Sequence, residues 1–226
     1  MYVAEGELEY VIENRRYVIK KGDVLLVKAG LHHFERNVIK SPSILFCIGF
    51  SSEALESREI SEELFEKGEH FSLGEDSPLV KMLFAAKEKL SASKSNAHLF
   101  VKSIAEAAVL MLDDLDMTAS HTAEITNANV QKIIRYVNEN VAQIHSTEDI
   151  ANAMFFSPSY VRGLFKREMG IGIMQYVRNK RVLLANRKIK SGGKPTEIYT
   201  ECGFSNYTSF YRAYLAYFGA SPKEKA

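Results

Sequence analysis

Arg162 and Arg212 are the two side chains whose setting suggests chemistry, because each follows the same succession of short helix, tight turn and second helix. Ile150-Ala151-Asn152-Ala153-Met154-Phe155-Phe156-Ser157 lies opposite Ile198-Tyr199-Thr200-Glu201-Cys202-Gly203-Phe204-Ser205. After one residue of slip, Tyr160-Val161-Arg162-Gly163-Leu164-Phe165 lies opposite Thr208-Ser209-Phe210-Tyr211-Arg212-Ala213. Both stretches have helix-turn-helix spacing, in which the first helix crosses a nucleic-acid backbone and the second offers its early side chains to major-groove base edges. A guanidinium placed there can grip guanine O6 and N7 together, discriminating by ~1–3 kcal/mol, whereas a lysine at a groove edge mainly meets phosphate. The competing interpretation is a pair of ordinary solvated helices.

The charge distribution favours the first interpretation. The net charge is +1 overall, yet residues 1–125 hold 14 basic and 21 acidic side chains while residues 126–226 hold 15 and 7, net −7 against +8. A basic segment of ~100 residues suits a phosphate backbone, since neutralising phosphates releases condensed counterions. With 46% apolar and 25% charged residues the chain is globular, neither disordered nor fibrous. No apolar run approaches the ~20 residues of a membrane span and no cleavable leader opens the chain, so the expected location is the cytoplasm. Only two cysteines are present, Cys47 and Cys202 in different halves, so neither a disulfide framework nor a cysteine zinc site can be read from spacing. No catalytic constellation and no cofactor site is read, and the chain is not expected to be an enzyme.

The elements that must position these side chains fall into two groups. Short β-type runs, Leu8 to Ile12, Tyr17 to Lys20, Val24 to Val27, Phe34 to Val38 and Ile44 to Phe50, are separated by turn residues and predict antiparallel strands, five being too few to close a barrel. Helical patterns follow at Glu53 to Lys67, Pro78 to Ser91 and His98 to Leu115. In the last, Phe100, Ile104, Ala108, Met111 and Leu115 recur every three or four residues as an apolar stripe, serving either its own domain or a dimer seam. Polar Asp116 to Asn129 reads as linker, giving domains at 1–117 and 129–226 joined by 118–128. Beyond it the pattern is all helical, six or seven short helices with legible caps: Ser146 before Asp149, Ser157-Pro158, Gly170, Gly192-Gly193, Gly203, Asn206 and Gly219. The helix joining the two repeats, about 18 residues, is ~27 Å long, close to the ~34 Å repeat of DNA.

Residues 126–222 resemble the DNA-binding domain of the AraC/XylS family of transcription regulators. The resemblance rests on Ile150-Ala151, Ser157 to Arg167 with Gly170, Gln175-Tyr176-Val177 to Arg181 and Ala185, then Ile198, Gly203-Phe204-Ser205, Phe210, Arg212, Tyr217-Phe218-Gly219 and Ser221-Pro222. It implies an α+β chain whose C-terminal all-α domain carries two helix-turn-helix motifs. Ser159, Arg162 and Gly163 would face bases in the first, with Tyr160 and Lys166 near the backbone; Asn206, Tyr207, Thr208 and Arg212 occupy the corresponding places in the second. Tyr199 stands where the family packs alanine, Leu215-Ala216 where it carries basic residues, and Lys188 at an apolar position. These departures keep open a second reading, an interaction module of the same family that no longer binds DNA.

The N-terminal part resembles the cupin sensor domain of this family over Gly22 to Asn37, with Lys28 in place of the motif's proline. That resemblance implies a partial cupin-like antiparallel barrel with an effector pocket near His32, His33 and Tyr10. Which of the two histidines lines the pocket is left open by the sequence. The histidine-rich first cupin motif is absent, so neither a metal nor a cupin enzyme is expected. One or two leading strands of the barrel are also missing, so either the pocket is reduced or the start lies upstream. By resemblance the partners would be double-stranded DNA, a small-molecule effector, a second copy of the chain in a homodimer, and RNA polymerase.

Overall fold

Alternation along the first strand sets up the N-terminal unit. In β1 (Tyr2–Glu5) Val3 points to one side, and Tyr2 and Ala4 to the other, all three buried, so this strand is covered on both faces. It is central to a four-stranded antiparallel sheet of order β6-β1-β4-β7, with β4 (Asp23–Leu25), β6 (Ile44–Phe46) and β7 (His70–Ser72). Tyr2 pairs with Val24 on one side and Phe46 on the other, and Val24 with Phe71. A second sheet has the order β5-β2-β3-β8, from β2 (Glu7–Ile12), β3 (Arg15–Lys20), β5 (His33–Arg36) and β8 (Glu124–Ile125). Val3, Leu8, Ile12, Tyr17, Ile19 and Leu25 form one core. Tyr2, Ala4 and Val24 instead meet the helices α1 (Arg58–Lys67), α2 (Pro78–Ala92) and α3 (Ala97–Asp113) in a second core with Leu64, Leu83 and Ile104.

This computed structural model describes residues 1–36, 42–50, 55–74, 76–92, 96–114, 124–125 and 127–223. Its two units are Met1–Ile12 with Arg16–Glu124, and Glu13–Arg15 with Ile125–Ala226. Most of the 118–128 linker lies outside the described residues.

Three strands among the described residues, β1, β7 and β8, were not signalled by alternation. In β7 the sequence His70-Phe71-Ser72 reads polar-apolar-polar, but its polar ends serve a buried carboxylate. Asp23 is 2% exposed and accepts hydrogen bonds from Ser72 Oγ (2.6 Å) and the Lys20 amide (3.0 Å), with His70 Nε2 also 3.0 Å away. Burial pushes its carboxyl upward, but the hydrogen bonds outweigh it and the net shift is below the ordinary value. The stripe on α3 is turned inward: Ile104 is buried, and Phe100, Ala108 and Met111 pack against the core of their own unit. Ile104 is thereby spent on its own unit, while Phe100, Ala108 and Met111 remain partly exposed. Leu115, the fifth member, lies outside the described residues.

The second unit contains six helices among its described residues. They are α4 (Ala128–Asn140), α5 (Thr147–Met154), α6 (Pro158–Met169), α7 (Ile173–Lys190), α8 (Pro195–Glu201) and α9 (Tyr207–Phe218). They enclose two separate cores threaded on α7. The first unites Val130, Ile133, Val137, Ile150, Val161 and Phe165 with Ile173, Tyr176 and Val177 of α7. The second unites Ile198, Cys202, Phe204, Phe210 and Tyr214 with Val182, Ala185 and Ile189. At about 100° per residue, the two α7 triplets point to roughly opposite sides of the helix. The buried face thus changes sides between Val177 and Val182, which is why no single apolar stripe is legible along this helix.

Candidate nucleic-acid interface

The register of α6 follows from its ends. Ser157 is the N-cap and accepts a hydrogen bond from the Tyr160 amide (3.2 Å), Pro158 opens the helix, and Gly170 closes it at φ 67°. Val161, Leu164, Phe165 and Met169 are buried, with the Phe165 ring 5.1 Å from that of Tyr176. This leaves Ser159, Arg162, Gly163 and Lys166 together on the exposed face. Tyr160 sits beside that face, 42% exposed; its ring packs edge-on to Phe156 at 5.1 Å and its hydroxyl accepts from Asn129 Nδ2 at 3.1 Å.

In α9 the cap is Asn206, whose side chain accepts from the Ser209 amide at 2.8 Å, and Phe210 and Tyr214 are buried. From cap to cap the two helices are offset by 49 residues (206 − 157), and the same offset carries Val161 onto Phe210 and Phe165 onto Tyr214. The turns before them are offset by only 48: Phe155 at φ 58° matches Gly203 at φ 86° (203 − 155). The one-residue slip therefore lies between the turn and the cap. It follows that Gly163 is the counterpart of Arg212, and Tyr211 of Arg162. Tyr211 and Ser209 are exposed beside Thr208 and Arg212, and neither was singled out in the sequence. Counting from the caps, rather than from the repeated apolar residues, would have found Tyr211. Leu215, 42% exposed, takes the place that Lys166 holds in α6. Tyr207 is half-buried among Tyr199, Phe210 and Tyr211, with its ring 5.9 Å from that of Tyr199. The bulk of Tyr199 is thus absorbed by a ring contact at the edge of the core, and Lys188 by an ion pair with Glu201.

The electrostatics centre on arginine. Arg162 Nη1 lies 3.4 Å from Glu148 Oε1, both side chains being exposed. The Glu148 carboxyl is held below its ordinary range by its own backbone amide, then by Ser146 and Arg162. Between the heads a cleft of about 760 Å³ is lined by Gln175, Arg178, Arg181, Ser209 and Arg212 among others, three arginines and no carboxylate. Arg178 is exposed and hydrogen-bonded to Gln175 at 3.1 Å. Arg181 is half-buried, and burial followed by the neighbouring Arg178 charge lowers its proton affinity, although a guanidinium stays cationic throughout the ordinary pH range. Two recognition helices with polar and cationic exposed faces, flanking an anion-attracting cleft, can hold a phosphate backbone and present hydrogen-bond donors to base edges.

Residues 150–225 match a helix-turn-helix domain model, and residues 1–49 match a cupin domain model. Residues 150–225 are therefore a helix-turn-helix domain. The chain is similar to the probable transcriptional regulator LumQ of Photobacterium leiognathi, 32% identical over 100 residues, covering 44% of this chain and 40% of that protein. Similarity to the Msm operon regulatory protein of Streptococcus mutans is 23% over 233 residues, 99% of this chain and 81% of the relative. A crystal structure of an AraC-type transcriptional regulator from Chromobacterium violaceum covers 44% of this chain and 93% of its own, at 26% identity and TM-score 0.40.

The N-terminal candidates pack against one another and their neighbours. Tyr10 and His33 stack at 6.1 Å, His33 Nδ1 lies 2.9 Å from the Leu31 carbonyl, and His32 meets Phe34 at 5.6 Å. None of the three lines either of two apolar cavities in this unit. One, about 70 Å³, lies among Tyr2, Val24, Phe46, Leu64, Leu83 and Leu112; the other, about 430 Å³, shares Phe46, Ile48 and Leu83 with it and reaches Cys47 and Leu90. The reason is packing: the six apolar side chains between the sheets leave the outer, helix-covered face of the first sheet as the place where space remains. No group of three or more metal-ligating side chains occurs among the described residues. No described helix is long and apolar enough to cross a membrane.

Proposed function

We propose that this chain is a sequence-specific DNA-binding transcription regulator of the AraC type in which both heads read DNA. The observation that carries the reading is the shared offset of caps and buried residues in α6 and α9, which gives each head an exposed helix face bearing an arginine. Ser159, Arg162 and Gly163 contact bases from α6, with Lys166 on phosphate and Tyr160 at its edge. Thr208, Tyr211 and Arg212 act from α9, while Asn206 and Tyr207 shape its start. Transcriptional control by relatives of this type, named as operon and transcriptional regulators, supports the same role here. The N-terminal unit would supply dimerisation and respond to an apolar effector in the cavities between sheet and helices. Such an effector acts only by binding one arrangement of the protein better than another. RNA polymerase is the proposed recipient of the signal, in the cytoplasm.

A second reading, an interaction module that has lost DNA binding, is favoured by Leu215 in the place of Lys166 and by Phe155, which is 96% exposed. Fluorescence anisotropy of the full chain on random-sequence duplex, across salt concentrations, separates the two. A DNA-binding domain with six or more phosphate contacts loses affinity by about a thousandfold or more between ~50 and ~200 mM salt. No binding at the lowest salt would establish the interaction module instead.

A further inference from the structure

Arg181 occupies the place on α7 where the two heads meet. Its Nε donates to the Val141 carbonyl at 2.9 Å, and its Nη2 to the Ala142 carbonyl at 3.5 Å and to the Ile144 carbonyl. All three acceptors belong to the α4–α5 connection of the first head. The same guanidinium lies under the turn of the second: a Cβ on Gly203 would stand 2.5 Å from the Ala142 oxygen, 2.7 Å from Arg181 Nε and 2.8 Å from its Cζ. The backbone of one head, the arginine and the backbone of the other are therefore stacked without room for one more carbon atom. By helical position Arg181 falls between the side of α7 used by the first core and the side used by the second. The two cores share no side chain, so this junction adds to α7 a second tie between the heads.

We propose that the Arg181–Gly203 junction fixes the angle between the two heads and thereby sets the half-site spacing the protein accepts on DNA. Arg181 is then a positioning residue for specificity. It reads no base, but one base pair added between half-sites displaces the second by about 3.4 Å and rotates it by about 34°, which only a loosened junction tolerates. The spacing part of the proposal rests on the DNA-binding reading; the angular part does not.

The two parts are tested separately in the full chain. For the angle, spin labels on Asn152→Cys in α5 and Thr196→Cys in α8, in a Cys47→Ser background, report the distribution of distances between the heads. With Arg181 intact the expected distribution is single and narrow; with Arg181→Ala it is at least about twofold wider. Arg181→Lys keeps the charge but not the forked donors, so it broadens the distribution to a lesser degree and decides the question if the alanine variant fails to fold. An unchanged width in either folded variant overturns the proposal. For spacing, a library of paired half-sites is selected with each protein. The parent should prefer one spacer over its neighbours by about tenfold, comparable with a mismatched base pair. Arg181→Ala should reduce that preference to about twofold without changing the bases chosen within each half-site. Retention of the tenfold preference overturns it. If the parent enriches no DNA, the DNA-binding reading fails, and the label distances still decide the junction.

Discussion

Arg162 and Lys166 share one exposed face but should fail differently when removed. Arg162→Ala is expected to lower affinity for a selected site by about tenfold or more while leaving random DNA nearly unaffected, since a bidentate base contact is worth ~1–3 kcal/mol. Lys166→Ala should weaken selected and random DNA by similar factors and reduce the slope of log K against log salt by about 1. Anisotropy titrations on both DNAs check this, and equal losses for Arg162→Ala would assign it to phosphate. Arg162, Ser159 and Lys166 were legible in the sequence because the cap Ser157-Pro158 is unambiguous and the apolar residues around them have helical spacing. Tyr211 was missed because the repeat aligns through its turns, whose glycine and phenylalanine sit one residue out of step with the caps. The roles of Arg181 and Asp23 were also out of reach, because their partners lie 37 to 40 and up to 49 residues away in the chain.

At the scale of elements, the two turns make opposite demands on one backbone conformation. Phe155 and Gly203 are both left-handed, at φ 58° and 86°. Phe155 points into solvent, so Phe155→Gly relieves strain while losing unfolded-state restraint, and thermal unfolding should move by less than about 1 kcal/mol. Gly203→Ala meets both an unfavourable φ and the Ala142 carbonyl, and should cost about 2 kcal/mol or more. Similar losses at the two sites would show the turns to be equivalent after all. The start of α5 contributes a pH dependence of its own. Asp149 accepts from the His145 amide at 2.7 Å and the Ser146 amide at 2.9 Å, which hold its carboxyl below the ordinary range. A lowered folded-state pKa contributes stability above the unfolded value and loses it as pH falls through the folded one. Asp149→Ala should therefore cost about 0.5–1 kcal/mol at neutral pH. The gap to the parent protein should close as the pH falls below the carboxylate range, as denaturant melts at a series of pH values would show. These caps were readable in advance; the β7 strand was not, since its His70 and Ser72 make sense only once Asp23 is buried beside them.

For the whole molecule, the sequence already contains the division of labour. An acidic α+β part is followed by a basic all-helical part, and the sign change falls near the boundary between the two units. What it does not contain is the position of free space in the N-terminal unit, because that depends on how completely side chains from two sheets fill the gap between them. It likewise conceals the switch of buried face along α7, which erases the single stripe by which an amphipathic helix is recognised. That switch lets one helix carry two cores and hold two recognition helices on a single chain. The central claim, that both helices read DNA, is tested most directly by selecting bound duplexes from a random library with the full-length protein at two salt concentrations. The expected result is a site of about 16–20 base pairs holding two different half-motifs about one helical turn apart. A site of half that length, with its preference abolished by Arg162→Ala alone, would contradict it and leave α9 without a role in base recognition.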